Sequence, residues 1–305
     1  MDCIILAGNR ESYRDVSNKH NKALLDIDGR PILEIIVREL ASIEEIDRLL
    51  VVGPKVDLDK SLAPICEDYP KPILTFEQKQ DLVENILSVV NETGSEDDPD
   101  RYVLILPSDI PLIIAEEIRE FISKADMSRY DYVGGLATDE TLTRFYATPE
   151  KPGVKMAYFY CQRYGYRINN LHMVRPRAIH GIQYIRKTYS IRYQKKLWNM
   201  VGVFFSLLGL ALKIPGSLLM YPGLQMARVL ENNGWHKTAS LIRPFLKLTR
   251  LEHYFGKILG TRLKIVITSY GGSTIDVDND QDYQAIRQRF KEWIDMQRAL
   301  VPRDH

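Results

Sequence analysis

The chain is poor in cysteine, with only Cys3, Cys66 and Cys161 in 305 residues. Three scattered thiols make neither a disulfide framework nor a zinc site, and such sparse use suits a reducing, cytoplasmic setting. No leader of signal-peptide form opens the chain. It lacks a basic n-region, and its first apolar run, residues 3–8, is only strand length. The longest apolar stretch, Leu197 to Leu212, covers 16 residues before Lys213 and Pro215 interrupt it. That falls short of the roughly 20 residues a bilayer span needs. Internal repeats and low-complexity linkers are also lacking. Net charge is close to zero, at +1, so the chain as a whole has no bias toward a polyanion.

The neutral total hides an uneven distribution. From Cys161 to Lys264 there are 18 Lys and Arg against two acids, Glu231 and Glu252, leaving 23 basic and 38 acidic residues elsewhere. An acidic body thus carries a strongly basic segment. The body reads as strands alternating with helices. CIILAG, IDRLLVVGP, KPILTFE and RYVLILPSDIPLI are strands. PILEIIVRELAS, DLVENILSVVNE and IAEEIREFISKA are helices, with Pro31 in a first turn and Asp81 as a cap. This alternation predicts a parallel α/β sheet up to about residue 135. Residues 140–175 predict irregular strands and 177–260 helices. LKIVITSY and STIDVDND predict a return to strand, before a closing helix from DQDYQ onward.

Ligands of an open α/β sheet bind beyond the carboxyl ends of its strands, and three loops there carry suggestive residues. After IILAG, Gly8 admits close backbone approach to a phosphate, with Arg10, Arg14, Lys19 and Lys22 to neutralise it. A solvated basic loop after an edge strand is the alternative. Asp109 follows a five-residue apolar strand, where a carboxylate suits a hard cation such as Mg²⁺; a turn or helix cap is the alternative. In STIDVDND, Asp276 and Asp278 share one side of an extended segment and Val277 takes the other. Two such carboxylates repel unless a cation is near. The competing reading is a polar strand end before a helix capped by Asp280.

Taken together, IILAG…NKALLDIDGRPIL, YVLILPSDIPL and IDVDNDQDY resemble the motifs of the MobA-like nucleotidyltransferases, a GT-A-like superfamily. The resemblance covers about 1–135 and again 262–290. It implies a Rossmann-like, three-layer GT-A-type mixed sheet with a mostly helical insertion before the last strand. The division it implies is an α/β core of 1–140 and 262–305, and an acceptor-side region of 141–261. The implied activity is transfer of a nucleoside monophosphate from an NTP to a phosphorylated or hydroxyl acceptor. By the same resemblance Leu6, Ala7, Gly8, Asn9, Arg10, Lys22 and Asn85 bind nucleotide, and Lys22, Arg14 and Asp109 are catalytic. Asp109 with Asp276 or Asp278 holds Mg²⁺. YRINNLHMVRP is similar to an acceptor-side stretch of one branch, which makes Asn169 and Asn170 acceptor-site residues. Two departures are visible: the second glycine of the loop is Asn9 here, a residue that tolerates positive φ, and the loop from Gly8 to Lys22 is offset, so that Arg14 is the first choice and Arg10 the second for the family's loop arginine.

The basic segment leaves its partner open. Apolar stretches with basic and aromatic flanks suit an anionic membrane surface, peripherally bound. They equally suit packing on the sheet or a homodimer contact. A recognisable nucleic-acid motif is lacking. The acceptor is then a soluble phosphate or a lipid precursor. Two other functions compete: a nucleotide-sugar glycosyltransferase, which favours a D-x-D directly after the central strand, and a non-catalytic nucleotide-binding module.

Overall fold

The computed structural model describes residues 1–9, 16–17, 21–94, 98, 100–186 and 217–300. Its strands are β1 (Asp2–Leu6), β2 (Asp26–Ile27), β3 (Arg30–Pro31), β4 (Arg48–Gly53), β5 (Ile73–Glu77), β6 (Val103–Pro107), β7 (Tyr132–Thr138), β8 (Phe159–Cys161), β9 (Tyr164–Val174) and β10 (Leu263–Ile267). Eight of them form one sheet in the order β10-β7-β9-β6-β1-β4-β5, with β8 added to β9. The sheet is mixed. β9 runs antiparallel between β6 and β7, and β8 is antiparallel to β9. The other neighbours pair in parallel.

β1 is an interior strand, not an edge, and its sequence shows why. Strands covered on both faces are apolar throughout, and alternate side chains serve two separate cores. Cys3 and Ile5 join the larger core with the helix Ile32–Leu40 and the closing helix. Ile4 joins a smaller core on the other face, with Leu50, Val52, Ile105 and Val174. The helix Leu82–Thr93 covers that smaller core with Val89 and Val90. Asp81 caps it as expected, accepting from Glu84 N at 2.8 Å.

The helices Ser217–Asn232, His236–Ile242 and Leu248–Leu259 follow in the basic segment. Met220, Ala227, Leu246 and Leu251 from that segment pack with Leu136, Cys161 and Tyr166 of the sheet. Among the described residues no helix is long and apolar enough to cross a membrane. The apolar run 197–212, Arg10, Arg14 and Lys19 lie outside the described residues.

The structure departs from the expected strand and from the cap of the competing reading, and it leaves Asn9 outside the positive-φ region. STIDVDND is not a strand: a short 3₁₀ turn, Gly272–Thr274, is followed by extended chain with no strand beside it. Its alternation survives, since Val277 is buried and Asp276 and Asp278 line a cleft. The closing helix Asp280–Arg298 is capped by Asn279, one residue earlier than Asp280. Asn9 is not among the non-glycine residues with positive φ, which are Ser17, Asp28, Gln162 and Asn170 among those described.

Candidate active site

The carboxyl ends of β1, β4 and β6 are stitched together by backbone. Ala7 N donates to Val52 O at 2.7 Å, Ser108 N to Leu6 O at 3.1 Å, and Gln78 N to Gly53 O at 3.0 Å. Gln78 then clamps the loop after β1. Its Oε1 accepts from Asn9 N and its Nε2 donates to Asn9 O, both at 2.9 Å. A Cβ at position 8 would lie 3.0 Å from that same Oε1, so glycine here makes room for the clamp.

Lys22 is aimed by its neighbour. Asn21 is buried and caps the 3₁₀ turn Lys22–Leu24, accepting from Ala23 N at 3.0 Å. Its amide also donates to Ala7 O at 3.3 Å. The NKAL segment is thereby tied to the loop after β1. Lys22 Nζ sits 3.5 Å from Asp109 Oδ2 and 3.3 Å from Asp278 Oδ1. Arg167 Nη2 donates to Asp276 Oδ1 at 2.6 Å, and its Nε to Thr274 O at 3.0 Å. Val277 N donates to Asp109 O at 2.9 Å, which joins the Asp109 loop to the late acidic segment.

Among the described residues, three carboxylates thus share one mouth with two cations, Lys22 and Arg167. Burial, followed by the neighbouring Asp276 and Asp278, pushes the Asp109 carboxyl up to about 6 against the pull of Lys22. Asp276 is also raised, by burial and then by Asp278. Burial alone would weaken the Lys22 ammonium, yet Asp109, Asp278 and Asp276 together hold its pKa above the ordinary value. The site therefore favours bound cations. Among the described residues no group of three His, Cys, Asp or Glu side chains is arranged to hold a metal unaided.

The cleft measures 960 Å³. Leu6, Gly8, Asn9, Lys22, Asn85, Asp109, Asn170, Asp276 and Asp278 all line it. Asn85 Oδ1 accepts from Lys79 N beside Gln78. Ala7 is fully buried beneath the loop.

Asn169 points elsewhere. It is fully buried, donates to Thr268 Oγ1 at 3.1 Å, and accepts from Leu171 N at 3.1 Å. Thr268 Oγ1 passes a hydrogen bond to Glu117 Oε1 at 3.1 Å. Glu117 also accepts from Gly271 N at 3.1 Å, Ser273 N at 2.8 Å and Ser273 Oγ at 2.7 Å. Asn170, at φ 57°, donates to Ser273 O at 3.0 Å. Both asparagines therefore brace the turn that presents Asp276.

Gln78, Arg167 and Glu117 were not singled out from sequence. Glu117 alone left a trace there, an acid sharing a helix face with Phe121, four residues on. The partners of Gln78 and Arg167 are too distant in the chain for any local pattern to show them.

Comparison with known proteins bears on the family and the fold. The family model for the MobA-like NTP transferase domain matches residues 3–157. A hypothetical transferase from Thermus thermophilus superposes with a TM-score of 0.63 at 22% identity, covering 92% of this chain and 99% of the other. A 4-diphosphocytidyl-2C-methyl-D-erythritol synthase from Anaerococcus prevotii gives 0.49 at 13% identity, covering 95% of each chain. A CMP:2-keto-3-deoxy-manno-octonic acid synthetase complexed with CTP gives 0.49 at 10%, covering 95% of this chain and 98% of that one. None of the curated proteins matches in sequence.

Proposed function

This chain belongs to the MobA-like NTP transferase family, and from that premise we propose that it moves a nucleoside monophosphate from an NTP to a phosphorylated or hydroxyl acceptor, releasing pyrophosphate. The observation that carries this reading is the Lys22 ammonium, held between Asp109 and Asp278 in the cleft that Gly8 also lines. A triphosphate laid there meets a fixed cation, and Gly8 puts no side chain in its way.

The residues fit Mg²⁺. Their carboxylates outnumber the cations paired with them, and hard oxygen donors are what Mg²⁺ takes. A site that borrows phosphate oxygens needs only one or two protein carboxylates, here Asp109 with Asp276 or Asp278. Bound there, the ion would offset charge on the α-phosphate and the attacking oxygen. The chain's own work is positioning and charge stabilisation. The acceptor oxygen attacks the α-phosphorus in line, and the bond from that phosphorus to the β-bridging oxygen breaks. Lys22 offsets charge on the departing pyrophosphate, assisted by Arg14 or, as second choice, Arg10. An acceptor phosphate is already anionic and needs no general base.

In this reading residues 1–140 and 262–305 are the nucleotide-handling core, and 141–261 is the acceptor side, with Asn170 at its edge. An NTP substrate sets the reaction in the cytoplasm, and the basic segment would bring the enzyme to an anionic membrane surface. Pyrophosphate release from an NTP panel with Mg²⁺ and phosphorylated acceptors tests the proposal. Turnover that Asp109→Ala abolishes is expected; no release with any NTP and acceptor would reject it.

A further inference from the structure

Past the carboxylates the same cleft continues as an apolar trough. Ile105 and Val174 form part of its floor on the sheet face. Ile86 of the helix Leu82–Thr93 stands on one side, and Ile182, Ile185 and Leu259 on the other. Arg186 spans the two sides, its Nε 3.4 Å from Asp81 Oδ2 and its Nη2 3.9 Å from Glu84 Oε1. The polar groups on the floor, Tyr132 Oη and His172 Nδ1, lie 2.9 Å apart and satisfy each other. Burial keeps that imidazole neutral, lowering its pKa to about 4.

A sugar or a second nucleoside laid here would turn hydroxyls onto aliphatic carbon, with their hydrogen bonds to water lost and not replaced. A hydrocarbon chain loses nothing of the kind. The surroundings point the same way. Leu259 ends the helix Leu248–Leu259, in a region that exposes Trp235, Leu241, Phe245 and Phe255. Both acids of that region are already paired, Glu231 with Arg243 and His236, Glu252 with Lys264. The exposed surface of that region is therefore apolar and cationic.

We propose that the acceptor is an anionic amphiphile: a phosphate monoester whose phosphate lies at the Asp109–Asp276 end and whose hydrocarbon chain lies in the trough. This rests on the nucleotidyl-transfer reading, which fixes the phosphate end. An acceptor phosphate oxygen forms the new bond to the α-phosphorus. The bond from that phosphorus to the β-bridging oxygen breaks, inorganic pyrophosphate leaves, and the product is a nucleoside diphosphate esterified by the chain.

The test uses the whole protein with saturating Mg²⁺, which offsets the carboxylates, and alkyl phosphates of four, eight and twelve carbons, each below its micelle concentration, titrated by calorimetry. Each methylene removed from water strengthens binding by about fourfold, so affinity climbs steeply with length until the trough is full. Ile182→Gln and, separately, Leu259→Gln should each weaken octyl phosphate at least tenfold and leave butyl phosphate within twofold. Thermal unfolding of each variant confirms that it is folded. Octyl trimethylammonium should bind far more weakly than octyl phosphate. Affinity independent of chain length would overturn the inference and return the trough to the chain's own residues, such as 197–212. Equal binding of the cationic amphiphile would overturn it too. Pyrophosphate release is scored separately. Turnover that is the same with butyl and dodecyl phosphate sinks this inference and leaves nucleotidyl transfer standing, whereas no NTP binding at all sinks the transfer reading itself.

Discussion

Replacing Glu117 by Ala should destabilise the fold and slow transfer, because one buried carboxylate holds the turn that presents Asp276. Glu117 is fully buried and accepts from Gly271 N, Ser273 N, Ser273 Oγ and Thr268 Oγ1. The hydroxyls can rotate to other partners, but the two backbone N–H groups cannot. Each buried donor left unsatisfied costs about 1–3 kcal/mol. Losing the apolar stem of the side chain adds on the order of 1 kcal/mol. Against this, burial raises the pKa of Glu117, so removing its charge returns part of the loss. The net expectation is about 3 kcal/mol of lost stability in urea at pH 7. Glu117→Gln should lose less, since its amide oxygen still accepts while its NH₂ group faces a donor. Below the unfolding transition, Glu117→Ala should bind metal-free NTP normally yet turn over more slowly. A stability loss below about 1 kcal/mol, or wild-type turnover, would refute this role.

Two other perturbations follow from the charge pattern. Asp109→Asn should abolish Mg²⁺-dependent turnover and yet raise metal-free stability at pH 7 by about 3 kcal/mol. The folded carboxyl is pushed up to about 6, so its ionisation costs stability as pH rises from the unfolded value through the folded one. An unchanged melting temperature in chelator would contradict that. His172 works in the opposite direction. Its folded pKa is lowered to about 4 by burial. Its contribution is complete above the unfolded value near 6.5 and is lost as pH falls from there toward 4, about 3 kcal/mol in all. His172→Gln should flatten that part of the stability curve, and equal slopes for both proteins would count against a buried neutral imidazole.

Much of the framework was legible because its signals are local. CIIL, LLVV and VLIL are apolar at every position, as strands covered on both faces must be. Asp81 stands at the head of its helix, and Pro107 ends its strand. Glycine-loop, NKAL and PSD segments fall at strand ends, where a site belongs. The illegible parts depend on distant partners. β9 enters between β6 and β7, and nothing in its aromatic, basic sequence names those neighbours. The family resemblance puts Asn169 at the acceptor site, yet its side chain crosses Gly135, where any Cβ would collide with it, to reach Thr268. IDVDND alternates like a strand but has no strand beside it, so only its facing pattern was readable. Asn279 and Asp280 are both good caps, and sequence alone could not choose between them.

The most direct test of the nucleotide site is the effect of Lys22→Ala on two ligands. Among the described residues Lys22 Nζ pairs with Asp109 and Asp278, and a triphosphate would take their place as its partner. Calorimetry with the NTP that supports turnover, and with its free nucleoside, separates phosphate contacts from base and ribose contacts. The account predicts that Lys22→Ala weakens NTP binding at least tenfold and changes nucleoside binding less than twofold, about 1.4 kcal/mol or more against a few tenths. Equal losses for the two ligands, or no loss for either, would contradict it.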